Sequence, residues 1–188
     1  MKTKSFFLVG LLATLMLVGC GKDKKRHSTY DDDDPEEASM TSCKKCPDDN
    51  HPHMIDLGLP SGTLWACCNE GASNPEDFGG YYKFDEVSSA PSLKQIKELV
   101  DKCSYSWTTL NGVNGGKFTG PSGGTVFLPA AGGVFNGELG DVGGGSYYWS
   151  SKPCGESNAY SLCFDSHGAN WRGDDGRYDE FSVRPVSK

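Results

Sequence analysis

The sequence predicts an α+β domain in which one helix is set among short antiparallel strands and long glycine-rich loops. Three observations carry that expectation. Apolar residues recur at helical spacing only once, at Leu93, Ile96, Leu99, Val100 and Cys103. Short runs of strand-forming residues recur along the rest of the chain, separated by glycine. Glycine accounts for 25 of 188 residues, roughly twice its usual share.

Element by element, Met54-Ile55-Asp56-Leu57 and Thr63-Leu64-Trp65-Ala66 read as two strands joined by the Gly58-Leu59-Pro60-Ser61-Gly62 turn. The helix begins after Ser92, whose hydroxyl suits an N-cap, and Gln95 three residues later completes a capping-box pattern. Further strands are expected at 113–118, 125–128, 147–151, 159–164 and 181–186. Within the fourth of these, Tyr160, Leu162 and Phe164 share one face by period-two alternation. Trp65 and Trp149 fall in strand patterns and are expected in the core.

The N-terminal end sets the compartment. Lys2 and Lys4 precede an almost unbroken apolar run from Phe6 to Val18, which closes on Leu17-Val18-Gly19-Cys20. A span of the bilayer takes about 20 apolar residues, so this run has the length of a secretory segment. A branched apolar residue and a small one directly before a cysteine resemble the lipobox of bacterial lipoproteins, which implies cleavage after residue 19 and a lipid on Cys20. Residues 1–19 are then a lipoprotein signal peptide, 20–50 a lipidated acidic tether, and 51–188 one domain. The tether carries Asp31-Asp32-Asp33-Asp34-Pro35-Glu36-Glu37 and almost no large apolar side chains, so it cannot offset the entropy of ordering itself. An acidic run in that place also resembles the signal for export to the outer face of the outer membrane, and equally suits a plain solvated linker.

Charge narrows the partners. The whole chain carries −7, and loss of Lys2 and Lys4 makes the mature protein more acidic still. Nucleic acid is therefore not expected as a partner, and contact with the membrane is expected through the N-terminal lipid only. Eight cysteines in an exported chain suggest disulfides. With Cys20 lipidated an odd number remains. Cys43-x2-Cys46 followed by His51 and His53 has zinc-ligand chemistry, but leaves little chain to wrap a tetrahedron, and export favours a disulfide. No metal or cofactor is expected. Cys67 and Cys68 are neighbours, and since a bond between neighbours is strained, each is expected to seek a distant partner. Cys154 and Cys163 are spaced to face each other across two adjacent strands.

Ordered blocks along 51–188 carry a resemblance. Ile55-Asp56-Leu57-Gly58-Leu59-Pro60-Ser61-Gly62-Thr63-Leu64-Trp65-Ala66, Cys68-Asn69-Glu70-Gly71-Ala72, Pro75-Glu76-Asp77-Phe78-Gly79, Trp107-Thr108-Thr109-Leu110-Asn111-Gly112, Phe127-Leu128-Pro129-Ala130-Ala131-Gly132, Tyr148-Trp149-Ser150-Ser151 and Ser182-Val183-Arg184-Pro185-Val186 occur in turn. Together they resemble the Fibrobacter succinogenes major paralogous domain family of Bacteroidetes lipoproteins. The resemblance implies a C-type-lectin-like fold, related to that of formylglycine-generating enzymes, and a disulfide between Cys68 and Cys103. The reactive cysteines of those enzymes and the ligand triplets of calcium-dependent lectins have no counterpart here.

Catalysis is not expected either. There is no Ser/His/Asp order, no His-Glu-x-x-His and no glycine loop running into Lys-Ser/Thr, and the neighbours Asp174 and Asp175 read as solvated carboxylates. Residues 152–180 stand out instead. Asp165, His167, Asn170, Trp171, Arg172, Asp174, Asp175, Arg177, Tyr178 and Asp179 mix aromatic anchors with adaptable polar groups, as paratopes do, although Gly, Asp, Asn and Ser also favour ordinary turns. The expected function is a cell-surface outer-membrane lipoprotein acting in adhesion, which binds a protein or glycan ligand through this loop region, with Trp171 as the foremost contact. The competing expectation is a structural or assembly lipoprotein of the envelope with no small ligand. The segment also resembles the variable repeat of proteins diversified by retroelements that randomise adenines. Changing the two adenines of AAC reaches most polar positions between Cys154 and Asp179, but not Glu156, Trp171 or Glu180. On that reading Cys154 and Cys163 are incidental thiols rather than a bridge.

Overall fold

The computed structural model describes residues 53–188. The signal segment, the tether, Cys20, Cys43, Cys46 and His51 lie outside the described residues.

The helix forms where its period and cap require. Helix α1 spans Leu93–Lys102, and Ser92 Oγ accepts the Gln95 N–H at 3.3 Å while Gln95 Oε1 accepts the Ser92 N–H at 2.8 Å. Leu93, Ile96 and Leu99 are its buried face. It ends at Cys103, whose N–H donates to Leu99 O.

The strands among the described residues form four small antiparallel sheets, of which the one made by residues 145–176 packs against α1. The first joins β1 (Met54–Asp56) and β2 (Leu64–Ala66) to β13 (Val186–Ser187), in the order β1-β2-β13. The second is β4 (Ser104–Leu110), β5 (Val113–Thr119) and β6 (Thr125–Pro129). The β4–β5 hairpin turns on Asn111-Gly112 with φ of 48° and 84°, the left-handed pair that a tight two-residue turn demands. The third orders β3 (Tyr82–Lys83), β12 (Glu180–Phe181), β7 (Gly133–Phe135) and β8 (Glu138–Gly140). A short 3-10 turn at Phe84–Glu86 follows β3. The fourth, β9 (Gly145–Cys154), β10 (Asn158–Asp165) and β11 (Gly168–Gly176), has β10 in the middle and a bulge between Ala159 and Ser161.

The expected α+β, C-type-lectin-like architecture is corrected here. Thirteen strands stand against one α-helix among the described residues, so the domain is dominated by strand, and much of the expected glycine-rich loop is ladder. Glycine sits inside strands because aromatic rings lie across it. A Cβ at Gly173 of β11 would meet the Tyr160 ring at 2.4 Å, and one at Gly115 of β5 the Phe127 ring at 2.5 Å. Glycine in these strands marks close approach rather than a turn.

Two aromatic clusters fill the interior. The larger gathers Leu57, Trp65, Ile96, Leu99, Phe118, Leu128, Tyr148, Leu162 and Phe164 between α1 and three of the sheets. The second holds Trp149, Tyr147, Cys163, Phe181 and Val183, with Trp149 and Phe181 rings 4.2 Å apart. Both tryptophans expected in the core, Trp65 and Trp149, are there.

One cation crosses this interior. Arg184 has no exposed surface, and its guanidinium donates to Asn69 Oδ1, Ala66 O, Cys67 O and Phe127 O. Burial pushes its pKa down. A buried charge is tolerated only where its donors are satisfied, and four acceptors from two segments, residues 66–69 and Phe127, meet that need.

Candidate functional site

Sheet register decides where the sequence-predicted residues point. Paired residues on antiparallel strands project to the same face, so Tyr148, Leu162 and Trp171 share one face of the β9–β10–β11 sheet. Tyr147, Cys163 and Asn170 form one row of the other face, and Trp149, Ser161 and Arg172 the next.

On this second face a polar tract is built around Arg172. Its Nη2 lies 3.0 Å from Asp175 Oδ1 and its Nε donates to Asp174 Oδ1 at 2.8 Å. The guanidinium carbon sits 5.8 Å from the Tyr147 ring centroid, and the Tyr147 hydroxyl donates to Asp141 Oδ2 at 2.9 Å. Asp175 is buried, and the Ser161 hydroxyl donates to its other oxygen. Burial lifts the Asp175 carboxyl to about 6, despite the opposing pull of Ser161 and Arg172. Burial also works against the charge on Arg172, but Asp175 and Asp174 outweigh it and hold the guanidinium protonated. Asp179, buried beside the Gly176 and Asn136 backbone, is raised by burial as well.

The ten predicted contact residues therefore divide. His167, Asp174 and Tyr178 project into solvent, with His167 and Asp174 side chains 85% and 74% exposed and Tyr178 65% exposed. Arg172 and Asn170 are half-buried on the polar face. Asp165 closes the β10–β11 turn by accepting the His167 N–H at 2.7 Å. Arg177 is a clasp rather than a probe. Its guanidinium covers the Phe84 ring at 4.9 Å, pairs with Asp85 and donates to Glu156 O at 3.3 Å. Two expectations are corrected. Trp171 packs against the main core beside Tyr160, with Lys97 Nζ 4.6 Å from its ring, so it is no free contact residue. Asp175 is not solvated, because the bulge turns it in toward Ser161.

No family model, no curated protein and no solved structure matches this chain.

The site also contains residues that the sequence did not single out. Asp141 and Tyr147 extend the tract, and strand β8 and the turn after it expose Leu139 and Val142. Asp141 has a φ of 60°, a non-glycine left-handed position. Chemically the tract offers a fixed cation, an exposed carboxylate and aromatic edges. Ser161 has no exposed surface, so its pairing with Asp175 is out of reach of a substrate.

The expected cysteine pairs are corrected too. Cys103 and Cys154 carry free thiols, which rules out bridges from Cys68 to Cys103 and from Cys154 to Cys163. Cys103 packs on the main core, whereas Cys68 belongs to a separate small cluster with Cys67 and Ala72. Burial pushes the Cys103 thiol up to about 11. Cys154 faces Asn158 at the hairpin end while Cys163 faces Tyr147, which puts them roughly 20 Å apart at about 3.3 Å per residue. A bridge needs Cα atoms within about 7 Å. Cys163 is itself disulfide-bonded, but not to Cys154. Among the described residues, no group of three or more His, Cys, Asp and Glu side chains is placed to hold a metal, and no helix is long and apolar enough to cross a membrane.

Proposed function

We propose that this chain is a lipid-anchored, surface-displayed binding protein that recognises a protein or glycan through the polar face of its β9–β10–β11 sheet. One observation carries the reading. Arg172 is held by two carboxylates, the buried Asp175 and the exposed Asp174, on a sheet whose opposite face is packed into the core, while His167 and Tyr178 project into solvent from beyond the two ends of β11. Polar groups fixed on a rigid sheet bind with less ordering cost than the same groups on a loop. The lipobox at Cys20 and the ordered sequence blocks support display on the outer membrane surface.

The soluble domain, residues 51–188, tested on glycan and protein arrays, should give a ligand whose capture is lost in Asp174→Ala and Tyr178→Ala while both variants remain folded. Ligand capture that ignores both changes sinks this reading. Growth with labelled palmitate should label the wild type and not Cys20→Ala.

The competing assembly reading rests on Leu139 and Val142, 55% and 46% exposed, which suit an apolar envelope partner. Leu139→Glu should then release the protein from a complex without altering array binding. Diversification by adenine randomisation sits best with the exposed positions, since Ser161, Cys163, Asp175 and Asp179 are buried. A nearby reverse transcriptase and an adenine-rich near-copy of the segment at the locus decide that point.

A further inference from the structure

Cys67 and Cys68 follow β2 directly, and their sulfurs are 3.4 Å apart. A disulfide bond is about 2.05 Å long, so the two sulfurs are in contact but not bonded to each other. His53 Nδ1 lies 3.9 Å from the Cys67 sulfur, and the His53 carbonyl accepts the Cys67 N–H at 2.9 Å. The buried Arg184 guanidinium donates to Cys67 O at 2.5 Å, and its charge is coupled to both sulfurs. An imidazole and a fixed cation beside a sulfur form the electropositive setting that distinguishes reactive cysteines from inert buried ones.

We propose that Cys67 and Cys68 are a redox-active dithiol that closes reversibly into a disulfide between chain neighbours. The oxidant is a small soluble disulfide. His53 takes the Cys67 proton, and the thiolate attacks one sulfur of the oxidant, forming a mixed disulfide and expelling one thiolate. The Cys68 sulfur then attacks the Cys67 sulfur and expels the second. The protein loses two hydrogens and the oxidant leaves as two thiols. Closure makes a small ring through one peptide bond, and the strain of that ring keeps the bond easily reduced, which suits a switch better than a staple. Both residues are nearly buried, so the first exchange waits on the short edge strand β1, whose Ile55 packs against their cluster. The device answers to the redox state where the chain enters the domain and is independent of the ligand-binding face.

The mature chain, treated with glutathione disulfide under native conditions and then alkylated, should yield a Cys67–Cys68 peptide two hydrogens lighter and unalkylated. Dithiothreitol should restore both alkylations. Cys68→Ser should stop at a glutathione adduct on Cys67, Cys67→Ser should react far more slowly, and phenylarsine oxide, which bridges paired thiols, should bind the reduced wild type but neither single variant. His53→Gln should slow the exchange at neutral pH, because the Cys67 thiolate then forms less readily. Thermal unfolding of each variant checks that it is folded. Full alkylation of both sulfurs after the oxidant, or a bridge from either sulfur to any other cysteine, overturns the proposal.

Discussion

On one face of the β9–β10–β11 sheet, Tyr148, Leu162, Phe164 and Trp171 pack against helix α1 and neighbouring strands in the larger, mainly apolar cluster. On the other, Ser161, Arg172 and Asp175 lie beside Trp149 and Cys163 of the second aromatic cluster, and of these only Arg172 is partly exposed. The first face is stabilised by area, and each side chain there adds its increment independently of charge. The second depends on mutual satisfaction, because a buried carboxylate is tolerable only while its partners are present. The sheet is thus robust on one side and conditional on the other, and the conditional side is where a binding surface can be fixed precisely.

The contrast can be broken most forcefully from the apolar side. Phe164, which contacts the rings of Tyr105, Trp107, Phe118 and Tyr148, should cost about 3–5 kcal/mol when changed to alanine, read from urea unfolding followed by tryptophan fluorescence. That loss should barely vary with pH.

Next in size, Arg172→Ala strips Asp175 of its cation and should cost about 3 kcal/mol at neutral pH. Unlike the Phe164 change, its cost should shrink as pH falls toward 6, because the orphaned carboxyl, no longer held down by Arg172, takes a proton at a higher pH than in the wild type. An Arg172→Ala penalty that is flat from pH 4 to 7 would show the polar face to be mere surface.

Asp175 itself sharpens the comparison. Its folded pKa of about 6 lies above the ordinary carboxylate value, so the native state binds the proton more tightly than the unfolded chain does. Stability from this group is fully present below about pH 4 and is lost as pH rises through 6. Relative to Asp175→Asn, the wild type should therefore lose about 2–3 kcal/mol between pH 4 and 7, as a shift of about 2 units implies. A stability difference that grows with pH would reverse the assignment.

The smallest effects belong to the groups that only project. His167→Ala and Tyr178→Ala should stay within about 0.5 kcal/mol of wild type in the same unfolding assay.

How far the sequence revealed this arrangement follows from which forces are local. Helix α1 was legible to its cap, since Ser92, Gln95 and the spacing of Leu93, Ile96 and Leu99 act within a few residues. Strands β1, β2, β5, β6, β9 and β10 were legible from alternation and β-branched or aromatic runs. Strand β11 was not. Gly168 to Gly176 reads as a turn-rich loop, and only pairing with β10 and the Tyr160 ring over Gly173 make it a strand. The missed β4 at Ser104–Leu110 is likewise held by its partner β5. The same non-local force misplaced Trp171 and Asp175, because a bulge between Ala159 and Ser161 cannot be seen in composition. Cysteine pairing failed for a related reason. A hairpin places residues by register, so Cys154 meets Asn158 and never Cys163.

Arg184 also sets an order of events in time. Its contacts to Asn69, Ala66 and Cys67 join residues 115 to 118 positions apart, and β13 completes a sheet begun by β1 and β2. During synthesis, neither the central cation nor its acceptors can be satisfied until residues 184–187 have emerged. Closing so distant a contact is slow, because the loop entropy is spent before the contact rewards it. A nascent chain of this design stays open until residues 184–187 arrive, and an open chain is the form that can be threaded through a narrow pore.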